Sequence, residues 1–223
     1  MSPENSLLHD LAEVTIRRVS VSSMDNNAYL ITHKRTGAQV LIDAADEASA
    51  LRGLIHDAAA DASVAPHLEL IATTHQHWDH VRALRELADE TGARTACGAE
   101  DAEGIRAATG VEADVILGQG DIGNVEGFDL RTVHLRGHTP GSIAYIYEDP
   151  SGPTHIFSGD SLFPGGLGNT EGDTDRFASL YEDVSERLFG QYPDDSFVHP
   201  GHGQGTTLGA ERPQLPEWKQ RGW

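Results

Sequence analysis

The stretch Thr74-His75-Gln76-His77-Trp78-Asp79-His80 decides how this chain is read. Before it, Leu68 to Thr73 is a β-rich run that follows Pro66; after it, Val81, Leu84, Leu87 and Ala88 recur at helical spacing as far as Gly92. The seven residues therefore sit at a strand-to-helix junction. In an extended segment successive side chains alternate faces, so His75 and His77 point the same way and Gln76 points away. Asp79 and His80 fall where the chain turns into the helix, which swings them to an adjacent position able to serve a second ion. Three imidazoles and a carboxylate within so short a span form a metal-ligand vocabulary, of a softness suited to zinc, iron or manganese.

Three more loops carry the right residues at strand ends: Arg136-Gly137-His138-Thr139-Pro140-Gly141, Phe157-Ser158-Gly159-Asp160-Ser161 and Pro200-Gly201-His202-Gly203. Each sets one candidate ligand beside glycine, which lets the backbone turn sharply and come close to an ion. One such loop is a weak signal, but four in this order are a strong one. The candidate ligands are His75, His77, Asp79, His80, His138, Asp160 and His202.

Working outward, Val14 to Val21, Asn27 to Thr32 and Gln39 to Ile42 read as an antiparallel meander, and Glu47 to Ala62 as a helix. Arg94 to Ala96 reads as a strand and Ala99 to Ala108 as a helix closed by Gly110. Val115 to Leu117, Phe128 to Leu135, Ser142 to Tyr147 and Thr154 to Phe157 read as strands between turn-rich segments. Phe177 to Phe189 is predicted as the last clear helix and Ser196 to Val198 as the last strand, with Thr206 to Trp223 packing irregularly on the surface. Strands then helices, twice, predict two mixed sheets face to face with helices outside: an α/β (α+β) protein with a four-layer αββα sandwich, residues 1–223 forming a single domain.

The chain of 223 residues carries 16 Lys+Arg against 35 Asp+Glu, a formal charge of −19. So acidic a surface repels phosphate backbones, which excludes a conventional nucleic-acid binder. Met1 to Leu11 has neither a basic nor an apolar signal region, and no apolar run approaches a membrane span, so a protein without membrane association is expected. Cys97 is the only cysteine. That rules out an internal disulfide, makes a cytoplasmic location the default, and favours a core role for Cys97 over catalysis.

The order His-x-His-x-Asp-His, then His, then Asp, then His resembles the ligand pattern of the metallo-β-lactamase-fold superfamily, over about Asn27 to Gly203. The resemblance implies that fold, with His75, His77 and His138 holding one metal, Asp79, His80 and His202 the other, and Asp160 bridging. Two divalent ions, zinc foremost and iron or manganese also suited, would share a hydroxide of lowered pKa and polarise a carbonyl. Asp79 would in addition act catalytically, orienting the hydroxide or moving a proton.

Within the superfamily the chain is most similar to glyoxalase II, the hydroxyacylglutathione hydrolases. Trp78 stands where that family has Trp, and Phe157 to Phe163 resembles its Asp-loop. The chain departs from the family in having Asn169 after Gly166-Leu167-Gly168, where Lys or Arg is usual, and Gln204 and Gly205 where a Tyr is expected. With 21 residues after His202, the family's helical C-terminal domain is expected to be absent. These departures fall on glutathione contacts rather than on the hydrolytic centre. The implied activity is a dinuclear metallohydrolase cleaving a thioester of a small thiol carrier, a small-molecule enzyme working as a monomer or homodimer. The rivals are a mononuclear iron persulfide dioxygenase on His75, His138 and Asp160, and a lactonase or phosphodiesterase on the same centre.

Among the remaining candidates, Asp43 ends a strand and reads either as a turn former or as a carboxylate orienting a ligating histidine. His9, His33, His56, His67, His134 and His155 read as solvent-facing or hydrogen-bonded scaffold; His199, three residues before His202, reads as structural by its strand-end position, with a catalytic role as the alternative. The acidic runs Glu100 to Glu103 and Glu171 to Asp175 read as solvated faces or loops, while Pro164 to Asp175, directly after Asp160, also reads as part of a pocket wall. Trp78, Phe163 and Tyr181 fit pocket or core equally, and Arg82 has no reading.

Overall fold

The computed structural model describes residues 6–222. The first sheet pairs β1 (Leu7–Asp10), β2 (Val14–Val21), β3 (Asn26–His33), β4 (Ala38–Ile42), β5 (His67–Ala72), β6 (Arg94–Gly98) and β7 (Val115–Leu117) in that order. The first four strands are the predicted antiparallel meander, extended by β1. From β4 onward the pairing is parallel, because α1 (Ala48–Asp57), α2 (Leu84–Thr91) and α3 (Ala102–Thr109) each return the chain to the same end of the sheet.

The second sheet contains β8 (Ile122–Val125), β9 (Phe128–His134), β10 (Ile143–Glu148), β11 (Thr154–Gly159), β14 (Phe197–Pro200) and β15 (Thr206–Thr207), in the spatial order β15-β14-β11-β10-β9-β8. Only β11 and β14 are parallel, joined through a small hairpin, β12 (Leu162–Phe163) with β13 (Gly166–Leu167), and α4 (Thr174–Asp183). Asp173 caps α4 by accepting from the backbone N–H groups of Asp175 and Arg176, and a π-helical turn, Val184–Phe189, continues it.

Strand periodicity sorts the apolar residues into three layers. In β3, Leu30 faces helices and packs with Leu41, Ile71, Leu51, Leu54, Leu84 and Ile105, while Tyr29 and Ile31 point into the space between the sheets. That middle layer joins Ile16, Val40 and Leu70 of the first sheet to Leu130, Ile143, Tyr145 and Phe157 of the second. The outer face of the second sheet, with Val133, Ile146, Ile156 and Val198, packs on Leu180, Val184, Leu188 and Trp218. The result is the αββα order expected. Cys97 is buried in the first layer, where burial pushes its thiol up to about 11, so its core role stands.

Two readings are corrected. The tail is not irregular: it forms α5 (Leu208–Glu211) and α6 (Leu215–Arg221), and Trp218 is fully buried in the third layer. Between α5 and α6 a 3₁₀ turn, Arg212–Gln214, carries Pro213; Pro213 and Pro216 lie at the starts of the 3₁₀ turn and of α6, where a missing N–H costs nothing, so they start helices rather than break them. Asp101 is not solvated but buried. Residues 1–5, part of the Met1 to Leu11 stretch read above as carrying no signal region, and Trp223 lie outside the described residues. No helix among the described residues is long and apolar enough to cross a membrane.

The parallel strands β4, β5, β11 and β14 place Asp43, the histidine stretch, Asp160 and His202 just beyond their C-terminal ends. The backbone N–H of Ile143 donates to Thr74 O at 2.8 Å, and that of Asn27 to Gly201 O at 2.7 Å. These bonds bring loops from both sheets to one edge of the sandwich.

Candidate metal centre

All seven candidate ligands converge at that edge. His75, His77 and His138 bring one ligand atom each within 4.8 Å of the others, and so do Asp79, His80 and His202. His138 Nε2 lies 3.0 Å from His77 Nδ1, and His80 Nε2 lies 3.2 Å from His202 Nε2. Asp160 stands between the groups. Its Oδ1 is 3.4 Å from His80 Nε2, while its Oδ2 is 3.3 Å from His202 Nε2 and 3.6 Å from His138 Nε2.

Hydrogen bonds from the far side of the rings fix which nitrogen looks inward. His138 Nδ1–H donates to Asn169 O and His202 Nδ1–H to Met24 O, each at 2.8 Å. Asp43 organises two further ligands. Its Oδ2 lies 2.9 Å from His80 Nδ1 and accepts from the Thr74 hydroxyl at 2.8 Å, and that hydroxyl lies 2.9 Å from His75 Nδ1. Asp43 Oδ1 accepts from the Thr74 backbone N–H. The orienting role is thus the one the geometry favours, and Asp43 adopts a left-handed φ of 60° to fill it. Asn26 Nδ2 donates to Asp79 Oδ2 at 2.9 Å.

The donor set fits a cation. His75 Nε2 and Asp160 Oδ1 are buried and have no hydrogen-bond partner, an arrangement that costs about 1–3 kcal/mol per atom unless something positive takes up the lone pair. A Cβ on Gly201 would lie 2.1 Å from Asp160 Oδ1 and 2.7 Å from His80 Cε1, so glycine there keeps the cradle open. Burial would raise the Asp160 carboxyl, but His202 and His80 outweigh it and hold it well below the usual carboxylate range. Burial likewise lowers the proton affinity of His80, yet Asp160 and Asp43 push its ring up to about 10. Burial, aided by the charge on His80, pushes the His75 and His138 rings down instead, so these two stay neutral with a lone pair to give.

Residues invisible to sequence reasoning complete the frame. Asp101 is buried beneath two ligand loops: its Oδ2 accepts from Gln76 N at 2.9 Å and from the Thr139 hydroxyl at 2.5 Å, its Oδ1 from Gly141 N at 2.7 Å. Placed within an acidic run, it carried no signal of its own. Arg82, unread in the sequence, packs its guanidinium 3.7 Å from the Trp78 ring centre and pairs with Asp46 at 2.6 Å. Trp78 is half exposed, and Phe163 lies 6.4 Å from the His202 ring. Tyr181 packs in the third layer instead, its hydroxyl donating to Leu215 O. A cleft of about 670 Å³ opens beside His77 and His138, with Arg136, Glu171, Asp175 and Arg176 on its walls. The second acidic run thus contributes to this cleft.

The family model of the metallo-beta-lactamase superfamily matches residues 24–202. The hydroxyacylglutathione hydrolase of Pelagibacter ubique is 30% identical over 80% of this chain and 66% of its own length. The hydroxyacylglutathione hydrolase GloC of Haemophilus influenzae is 28% identical over 91% of this chain and 97% of its own. That of Cereibacter sphaeroides is 31% identical, and the chain spans 62% of its length. Among solved structures, ETHE1 from Myxococcus xanthus is 27% identical with a TM-score of 0.75, covering 92% of this chain and 84% of its own. TTHA1623 in a di-iron-bound form is 29% identical with a TM-score of 0.67, covering 87% and 96%. With four fifths of its length matched by that model and its ligand-bearing loops gathered at one edge of an αββα sandwich, the chain belongs to the metallo-beta-lactamase superfamily.

Proposed function

We propose that this metallohydrolase-type enzyme is a thioester hydrolase acting, as a single domain, on an acylated small thiol. The observation that carries the reading is Asp160, with one oxygen toward His80 and the other toward His138 and His202. Such a carboxylate suits a bridge between two cations, zinc foremost, one on His75, His77 and His138 and one on Asp79, His80 and His202. Bound there, the pair would supply a water acidic enough to attack at neutral pH and a Lewis acid for the acyl oxygen. The relatives named hydroxyacylglutathione hydrolases support the substrate class, and the di-iron form of TTHA1623 supports the count of two.

The chain's own residues do the rest. Asp79, held by Asn26, has its Oδ2 3.4 Å from His202 Nε2, where it orients the attacking water and takes up its proton. The cleft beside His77 and His138 receives the thiol, with charges of both signs on its walls for a polar carrier.

The test is metal content by mass spectrometry on protein purified without chelator, with thioester cleavage followed on the same sample. Two equivalents of metal, and hydrolysis lost in His77→Ala, are expected. One equivalent of iron, with oxygen uptake on a persulfide and no thioester cleavage, would replace this reading by the dioxygenase.

A further inference from the structure

Three of the histidines read as scaffold meet between the two sheets. His9 comes from β1 at the edge of the first sheet, His155 from β11 and His199 from β14 of the second. One ring nitrogen of each lies within 4.8 Å of the other two. His155 Nδ1 and His199 Nε2 are hydrogen-bonded at 3.1 Å in rings only 3° from parallel, a bond that an ion between them would replace. The ring centroids of His9 lie 4.5 Å from His155 and 5.4 Å from His199.

Packing alone does not account for this cluster. Phe157 and Phe197 stack on these rings, while His155 pairs through Nδ1 with His199 and its other nitrogen, Nε2, is buried with no hydrogen-bond partner. His155 and His199 are themselves buried, and desolvation keeps all three rings below the ordinary histidine pKa, His155 down to about 4. Neutral imidazoles have lone pairs to give. Two nitrogens held by a tetrahedral zinc ion at its usual bond length stand about 3.3 Å apart, close to the spacing of the His155–His199 pair. His9 is only partly buried, which leaves an entry path and an open position for water.

We infer that His9, His155 and His199 form a separate site for a late first-row divalent cation, zinc foremost, which staples the N-terminal edge strand to the second sheet. Three imidazoles without a carboxylate select zinc, copper or nickel over magnesium or calcium. A net charge of −19 raises the local concentration of any such cation. The inference does not depend on the thioester-hydrolase reading.

The experiment is a zinc titration of the whole protein and of two variants, His9→Phe on the partly exposed strand and His155→Phe, which keeps a ring in the core. Metal per chain is measured after gel filtration, and melting temperature is measured against added zinc. The wild type is expected to hold one more equivalent than either variant, and its melting temperature to rise by several degrees on filling that site while the variants' does not. Equal stoichiometry and equal zinc-dependent shifts in all three proteins would overturn the inference. So would an extra equivalent that survives in both variants but is lost in His202→Ala, since it would then belong to the other centre.

Discussion

Asp43 Oδ2 and His80 Nδ1 stand 2.9 Å apart, both side chains buried, and the same carboxylate reaches His75 through the Thr74 hydroxyl. One anion thus sets the direction of a candidate ligand in each of the two groups. Asn tolerates the left-handed backbone at this position, so Asp43→Asn preserves the fold, but its amide has one acceptor oxygen for donors that approach two. Metal affinity and kcat/KM are each expected to fall by about 10- to 100-fold. Competition with a chelator and steady-state kinetics on the same preparation measure both.

Gly201 lies against the bridging candidate. An added methyl must displace the Asp160 carboxylate or the His80 ring, since it would sit 2.1 Å from the one and 2.7 Å from the other. A shift of about 1 Å in such a group costs on the order of 100-fold in rate. Gly201→Ala is therefore expected to lose at least that much activity while its far-ultraviolet circular dichroism stays that of the wild type.

Asp183 gives the fold an acid-sensitive fastening. Burial would raise its carboxyl, but hydrogen bonds from Arg136 and the nearby Arg187 hold it below the usual carboxylate value. A lowered folded-state pKa means that its contribution is fully present above about pH 4 and is lost as pH falls through the folded value. Asp183→Asn is expected to cost about 1–3 kcal/mol at pH 7, between an exposed and a buried pair because Arg136 is half exposed. Urea unfolding at several pH values checks the sign: the gap between wild type and variant narrows below pH 4.

The tail is part of the core. Trp218 is fully buried, its ring centre 6.4 Å from that of Phe189. Trp218→Ala is expected to cost about 3–5 kcal/mol, read as a lower denaturation midpoint.

Strands such as β2 to β5 were legible because their apolar residues run together between turn signals, and the candidate ligands because glycine-flanked loops punctuate strand ends. β1 and β8 escaped notice. Leu7-Leu8-His9-Asp10 and Ile122-Gly123-Asn124-Val125 are short edge segments, half exposed, whose pairing is decided by neighbours rather than by their own pattern. The tail escaped because proline in a first turn and proline as a breaker look alike until the hydrogen bonds are seen. Asp101 escaped because burial of one acid in a run of acids depends on loops about 25 and 40 residues away, Gln76 and Thr139 to Gly141.

Residues near the N-terminus hold the last ligand loop. Asn27 Nδ2 and Tyr29 Oη donate to Pro200 O, Asn27 Nδ2 also reaches Gly203 O, and Arg18 bonds the same carbonyl of Gly203. These contacts span more than 170 residues of sequence. During synthesis, then, the half-built protein leaving the ribosome holds its early histidines without their late companions. The last ligand loop takes its place only where the final ligand-bearing strand docks against the first meander, a contact between segments far apart in sequence and so costly in chain entropy to form.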